Sequence, residues 1–277
     1  MKIAIISDIH ANLEALNATI KDIKERKVEK IFCIGDTIAK GFHTHECIDI
    51  VKRECDVVLR GNCDRHFTEK IEDFRIKSEI EIKRWERVNS RLTEAEKEYL
   101  YNLPYSYEFY LSGSLVRIFH ASPEKDNIPI INQDSIETKY KMFLPSNKTI
   151  SQNVADIVVY GHIHHQYMDK LYNKTLINTG SVGNSFCLIR NPEKDSDVKE
   201  IRQANYVILE GEFGATDYSD SFSIEFIRVP YNIEKELEGK DYFEKEETEF
   251  EIREATYRNM KKINENFARL GINTNEF

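Results

Sequence analysis

Apolar positions along this chain fall into short continuous runs and longer helical stripes. "KIAIIS" at the N-terminus is a compact β-branched run, and Leu13, Leu16, Ile20 and Ile23 follow it at helical spacing. The same alternation returns in "KIFCIG" (Lys30 to Gly35), a helical "HECIDIVKRE" and "DVVLRGN" (Asp56 to Asn62), which predicts successive βαβ units building a parallel sheet. Because the runs are apolar throughout, their strands are expected to be covered on both faces.

Residues 67–104 change character. They are charged, lack glycine and carry Thr93-x-x-Glu96, a capping box ahead of "KEYLYNLP", so two or three helices are expected over one end of the sheet. Strand-like runs resume at "LVRIFH", "DIVVYGH", "TLINTG", "YVILEG" and "FSIEFIRV". The last two are bounded by Gly, Asp and Ser, as antiparallel strands are. "NPEKDSDVKE" (Asn191 to Glu200) is read as an exposed loop. From Asn232 the chain is charged and helix-forming, with Met260, Ile263, Phe267 and Leu270 at helical spacing. The expected organisation is an α/β body over 1–235 with a helical insertion at 67–104. A helical extension over 236–277 then packs on the body or on a second copy, as in a homodimer.

Composition narrows the class. With 277 residues, 40% apolar and 31% charged, the chain can bury a sizeable core. A net charge of −9 without a basic track argues against long nucleic acid as a partner. Cys33, Cys47, Cys55, Cys63 and Cys187 are odd in number and show no CxxC, which fits a reducing compartment and a cytoplasmic location. Asp8 and His10 break the N-terminal apolar run before it could act as a signal segment, and no run approaches the roughly 20 apolar residues of a membrane helix.

The chemistry lies at the strand ends. Predicted strands terminate in "SDIH", "GDT", "GNCD", "FHAS" and "GHIHH", the last of which crowds three of the eight histidines into four residues. A polar strand end is ordinarily a cap or a turn. Five of them, expected at one sheet edge where a parallel sheet opens its crevice, point instead to a metal site. A carboxylate can bridge two cations while neutral imidazoles and an amide oxygen fill further positions, and Asp8, His10, Asp36, Asn62, His120, His162 and His164 suffice for this. Two ions about 3.5–4 Å apart would bind a phosphoryl group and activate a bridging water.

In this order and spacing the motifs resemble the calcineurin-like metallophosphoesterases, whose pattern is D-x-H, G-D, G-N-x-D, H and G-H-x-H. "LTEAEKEYLYNLP", "HASP" and "INTGSVG" extend the similarity, over about residues 1–230, to the small bacterial and archaeal phosphodiesterase branch. The resemblance implies a four-layer αββα sandwich of two mixed β-sheets flanked by helices. It implies that Asp8, His10 and His164 hold one metal, that Asp36 bridges, and that Asn62, His120 and His162 hold the second. Mn and Fe are the metals expected first, with Zn or Ni also suited to such ligands. Asp36, Asn62, His120 and Asp64 would serve catalysis. The implied activity is hydrolysis of small phosphodiesters or nucleotide phosphoanhydrides, diadenosine tetraphosphate among them. The alternatives are a nuclease of the same fold and a non-catalytic metal-binding scaffold.

The chain also departs from the family. Where phosphomonoesterases read G-N-H-[DE], with the histidine beside the leaving-group oxygen and the acid orienting it, this chain reads "GNCD". A thiol is a poor proton donor and carries no positive charge, so Cys63 is expected to favour esters with good leaving groups. Arg65 and His66, next in sequence, are candidates with Cys63 for substrate contact. His43 and His45 in "GFHTHEC" read as surface-loop residues, and Trp85 reads as core. Asn178 reads as part of the site floor, with Gly180 and Gly183 allowing tight turns.

Overall fold

The computed structural model describes residues 1–69, 79–185, 188–190, 198–200, 203–218, 221–236 and 238. The chain begins with β1 (Lys2–Ile6), α1 (Leu13–Glu25), β2 (Lys30–Cys33), α2 (Thr44–Glu54), β3 (Val57–Val58) and α3 (Asn62–His66). Next come α4 (Glu79–Arg91), α5 (Glu94–Tyr101), β4 (Ser106–Leu111), β5 (Ser114–Phe119) and α6 (Ile136–Tyr140). The remainder is β6 (Ile157–Tyr160), β7 (Tyr167–Leu171), β8 (Lys174–Asn178), β9 (Leu188–Arg190), β10 (Val198–Glu200), β11 (Gln203–Glu210), β12 (Ser223–Pro230) and α7 (Ile233–Glu236).

Two mixed five-stranded sheets result. In the first, of order β12-β11-β1-β2-β3, the three N-terminal strands run parallel and β11 and β12 add on antiparallel. In the second, of order β4-β5-β6-β8-β7, a parallel centre is flanked by antiparallel edges. Ile3, Ile5, Phe32 and Val207 of the first sheet pack against Val116, Ile118, Val159 and Ile177 of the second, forming a buried apolar layer between them. The outer face of the first sheet is covered by Leu16, Ile20 and Ile23 of α1 with Cys47 and Val51 of α2. The outer face of the second packs Val158, Tyr160 and Leu176 against Met142 and Phe143. Burial on both faces is why these strands read as unbroken apolar runs.

Local signals explain the helix boundaries. Asn12 caps α1 by accepting a hydrogen bond from the Ala15 amide at 3.0 Å. Thr93 and Glu96 make the reciprocal capping box that starts α5. Within the insertion, Val88, Leu92 and Leu100 join Ile48 of α2 and Phe67 in one apolar cluster, and Trp85 packs against it.

Several expectations change. The "DVVLRGN" strand shrinks to Val57–Val58, because Leu59 to Gly61 already belong to the loop entering α3. Strands β4 and β7 were not expected; β7 alternates half-buried and exposed residues at a sheet edge, so it lacks an apolar run. Val198–Glu200, read as loop, pairs antiparallel with β9. Residues 70–78 of the insertion, Cys187, and the 236–277 extension apart from Glu236 and Glu238 lie outside the described residues. Among the described residues, no helix is long and apolar enough to cross a membrane.

Candidate metal centre

The polar strand ends converge, but from two sheets and not from one edge as the sequence implied. Asp8, His10 and Asp36 follow β1 and β2 of the first sheet, whereas His120, His162 and His164 follow β5 and β6 of the second. Asn62 opens α3, just beyond β3. A hydrophobic pattern reports that a strand is buried, without reporting which sheet it joins.

The backbone is bent to deliver these side chains. Asp8, His10, Asp36, His162 and His164 all take positive φ, at 55°, 53°, 55°, 68° and 60°. That region is costly for residues with a Cβ and recurs where a site over-determines the chain. Two glycines of the motifs make room for carboxylates. A Cβ on Gly61 would stand 2.2 Å from Asp36 Oδ1, and one on Gly161 would stand 2.5 Å from Asp8 Oδ2. Asn178 forms part of the support beneath, donating from Nδ2 to the Gly161 carbonyl at 2.6 Å.

Three imidazoles are oriented in one way. Nδ1 of His10, His120 and His164 sits 3.3, 3.0 and 2.9 Å from the carbonyl oxygens of Ile38, Ile34 and Asn184. A ring that donates its Nδ1 proton to a carbonyl presents an unprotonated Nε2 on its other side, the arrangement of a metal-ligating histidine. Those Nε2 atoms face other acceptors: His10 lies 3.0 Å from His164 Nε2, and His120 lies 3.0 Å from Asn62 Oδ1. His164 Nε2 is also 3.2 Å from Asp8 Oδ1, a buried oxygen that has no hydrogen-bond partner. Lone pairs turned toward one another and an orphaned carboxylate oxygen are satisfied together by cations, so the donor set fits metal ions.

Asp36 stands between the two groups. Its Oδ2 lies 3.8 Å from His10 Nε2 and its Oδ1 lies 3.5 Å from His120 Nε2, while Oδ1 also accepts the Cys63 amide at 2.7 Å. Asp8, His10 and His164 can hold one ion, and Asp8, Asp36 and His120 can hold another. Asn62 Oδ1 points to the second set, and the His162 ring meets His120 edge-on with centroids 5.3 Å apart. The Cys63 sulfur lies within reach of His10 and Asp36.

The electrostatics match this layout. Burial pushes His162 down to about 4, with the nearby His120 adding to the effect. Burial and then the charge of Lys40 lower both His10 and His164, keeping them neutral near pH 7. Burial also opposes charge on His120, but Asp36, Asp8 and Asp64 hold it above its usual range. Asp8 is buried as well; the imidazoles of His164, His120 and His10 outweigh that and hold it well below the carboxylate range.

Two of the sequence candidates turn away from the cavity. Asp64 does not face the cavity: its carboxylate accepts the backbone amides of Asp36, Thr37, Ile38 and Gly61 at 2.8–3.3 Å, so it orients the Asp36 loop and not a substrate. Arg65 is turned away into an ion pair with Asp126, at 2.6 and 3.1 Å, and a second contact with Glu69 at 2.9 Å. Cys63 and His66 do line the cavity, of about 300 Å³, together with Asn62, His162 and His164. His165 is exposed, and His43 and His45 pair with Glu46 and Glu96 outside the cavity. The sequence reading missed Lys40, which also lines the cavity. Its only sequence signal is its place four residues after Asp36.

Comparison with known proteins agrees. The calcineurin-like phosphoesterase superfamily domain matches residues 1–194. An uncharacterized protein of Methanocaldococcus jannaschii is 30% identical over 253 residues, covering 85% of this chain and 90% of its own length. The crystal structure of a metallophosphoesterase from Sphaerobacter thermophilus aligns with a TM-score of 0.59 at 21% identity, covering 86% of this chain and 93% of that one. A hypothetical protein from Pyrococcus horikoshii aligns with a TM-score of 0.65 at 17% identity, covering 85% and 92%. With two mixed sheets flanked by helices and a clustered set of metal-binding side chains, this chain belongs to the calcineurin-like phosphoesterase superfamily.

Proposed function

We propose that the protein is a two-metal hydrolase of phosphodiesters or nucleotide phosphoanhydrides. The observation that carries this reading is the Asp36 carboxylate, with one oxygen turned to His10 and the other to His120, as a bridge between two cation sites requires. In this reading Asp8, His10 and His164 take one ion, Asn62, His120 and His162 the other, and Mn or Fe is the expected metal. Bound there, two cations would polarise the phosphoryl oxygens and lower the pKa of an attacking water.

The chain's own residues do the rest. Carbonyl contacts orient the three imidazoles, so the site is set before substrate arrives. Cys63 lies at the cavity wall where a proton-donating histidine would otherwise stand. Its thiol gives little help to a departing alkoxide, which favours substrates whose leaving group departs unprotonated. The test is hydrolysis of bis-p-nitrophenyl phosphate, p-nitrophenyl phosphate and diadenosine tetraphosphate by metal-stripped protein with Mn restored, beside Asp36→Asn. Metal-dependent turnover that is lost in Asp36→Asn supports the reading. Absence of turnover with every substrate overturns it.

A further inference from the structure

The cavity holds more than metal ligands. Beyond them its wall carries Lys40, His66, Cys63 and Phe67. Among the described residues lining it, Lys40 is the one fixed cation.

Lys40 is built into place. Ala39 and Lys40 take consecutive positive φ values of 75° and 66°. The loop they form is tied to a candidate ligand strand: the Gly41 amide donates to the His10 carbonyl at 2.8 Å and the His43 amide donates to the Ala11 carbonyl at 3.1 Å. A Cβ at Gly41 would collide with the His10 and Ala11 carbonyls at 2.6 Å, so the loop lies flat against them.

His66 is fixed as well. It sits four residues after Asn62 on α3, on the same helical face and about 6 Å farther along the axis. Every neighbouring residue clamps that helix: Asp64 by four backbone amides, Arg65 by Asp126, the His66 carbonyl by Trp85 Nε1 at 3.0 Å and the Phe67 carbonyl by Asn89 Nδ2 at 2.7 Å. The insertion therefore sets the direction in which His66 faces the cavity.

We infer that Lys40 and His66 form a subsite for the leaving phosphate of a phosphoanhydride, which makes a nucleotide carrying a pyrophosphate-type bond the preferred substrate class. This rests on the hydrolytic reading above and deepens it. In the step, the oxygen of water bonds to one phosphorus while the bridging P–O bond on the Lys40 and His66 side breaks. The bond's electron pair leaves on the departing phosphate, and the proton of water passes to solvent. A leaving phosphate needs no proton near pH 7, which fits the thiol at Cys63. Its negative charge needs donors instead, and an ammonium and an imidazole N–H supply them.

The experiment compares diadenosine tetraphosphate with bis-p-nitrophenyl phosphate in Mn-loaded wild type, Lys40→Ala, Lys40→Met, His66→Ala and His66→Gln. Lys40→Met and His66→Gln keep the shape of the side chain should an alanine variant fold poorly. Each substitution is expected to lower kcat/KM on the anhydride about 30-fold and on the diester by a much smaller factor, about threefold. Calorimetry supplies a readout without turnover: wild type should bind methylenediphosphonate more tightly than methylphosphonate, and each variant should narrow that preference. Equal losses on both substrates, or an unchanged phosphonate preference, overturn the subsite while leaving the hydrolase intact. A wild type that cleaves neither substrate overturns the hydrolytic reading itself.

Discussion

His10 and His164 are 154 residues apart in sequence, yet their Nε2 atoms lie 3.0 Å from one another, each ring tied through Nδ1 to a backbone carbonyl. Two neutral imidazoles in that posture repel unless a cation sits between them. Metal should therefore stabilise the fold. At a free metal concentration of about 100 times Kd, linkage gives about 2.7 kcal/mol, or a rise in Tm of roughly 5–10 °C for a chain of this size. Melting curves with chelator and with restored Mn check this, and His164→Ala should remove most of the rise and lower the bound metal per chain.

Asp36→Asn should abolish turnover while sparing the fold. The amide oxygen can still accept from the Cys63 amide, but the negative charge shared between His10 and His120 is gone. With Mn restored, a loss of at least about 10³-fold in kcat is expected, while the metal-free variant keeps a Tm within a few degrees of metal-free wild type. A comparable loss of secondary structure by circular dichroism would contradict it.

Cys63→His restores a proton donor at the cavity wall. Monoesterase activity should rise about tenfold relative to diesterase activity, read from p-nitrophenyl phosphate against bis-p-nitrophenyl phosphate. An unchanged ratio would make the thiol a mere filler.

Asp64→Asn exchanges one acceptor oxygen for a donor facing amides that already donate. With Asp36, Thr37, Ile38 and Gly61 amides on the carboxylate, the expected cost is about 2–3 kcal/mol of stability, measured by urea unfolding. Metal affinity should fall with it, because the Asp36 loop loses its anchor.

The metal-free protein should weaken in acid. Burial lowers His162 to about 4 and also lowers His10 and His164, so these groups add stability above their ordinary value near 6.5 and forfeit it as pH falls from there toward 4. His120, held high by Asp36, and Asp64, which burial and the Asp36 charge push up to about 7, work in the opposite direction and are outnumbered. Urea midpoints at pH 7.5 and pH 5 read the effect, and His162→Ala should flatten it. Bound metal should steepen it, since its ligands must stay deprotonated and protons compete with the ions as pH falls.

Much of this molecule is written in local pattern. The runs at β1, β2, β5, β6, β8 and β11 are apolar because both faces are covered, and the polar residues ending several of them are conspicuous for that reason. What local pattern lacks is partnership. Arg65 reads as a phosphate contact until Asp126, 61 residues away, is found holding it. Asp64 reads as a catalytic acid until four amides are found on it. Lys40 shows no signal beyond its place after Asp36, because one lysine in a loop has no period. The joining of two sheets at one site escaped for the same reason: pairing is a long-range choice between equally apolar strands.

The division of the site between two sheets has a consequence for biosynthesis. A ribosome releasing this chain from the N-terminus delivers Asp8, His10, Asp36 and Asn62 long before His162 and His164, and Asn184, whose carbonyl orients His164, emerges later still. Until then the early segment holds acidic and imidazole groups without the neighbours that would complete a coordination shell. Metal capture thus marks the end of assembly in the cell, and a nascent chain stalled before residue 184 should be protease-sensitive whatever the metal supply.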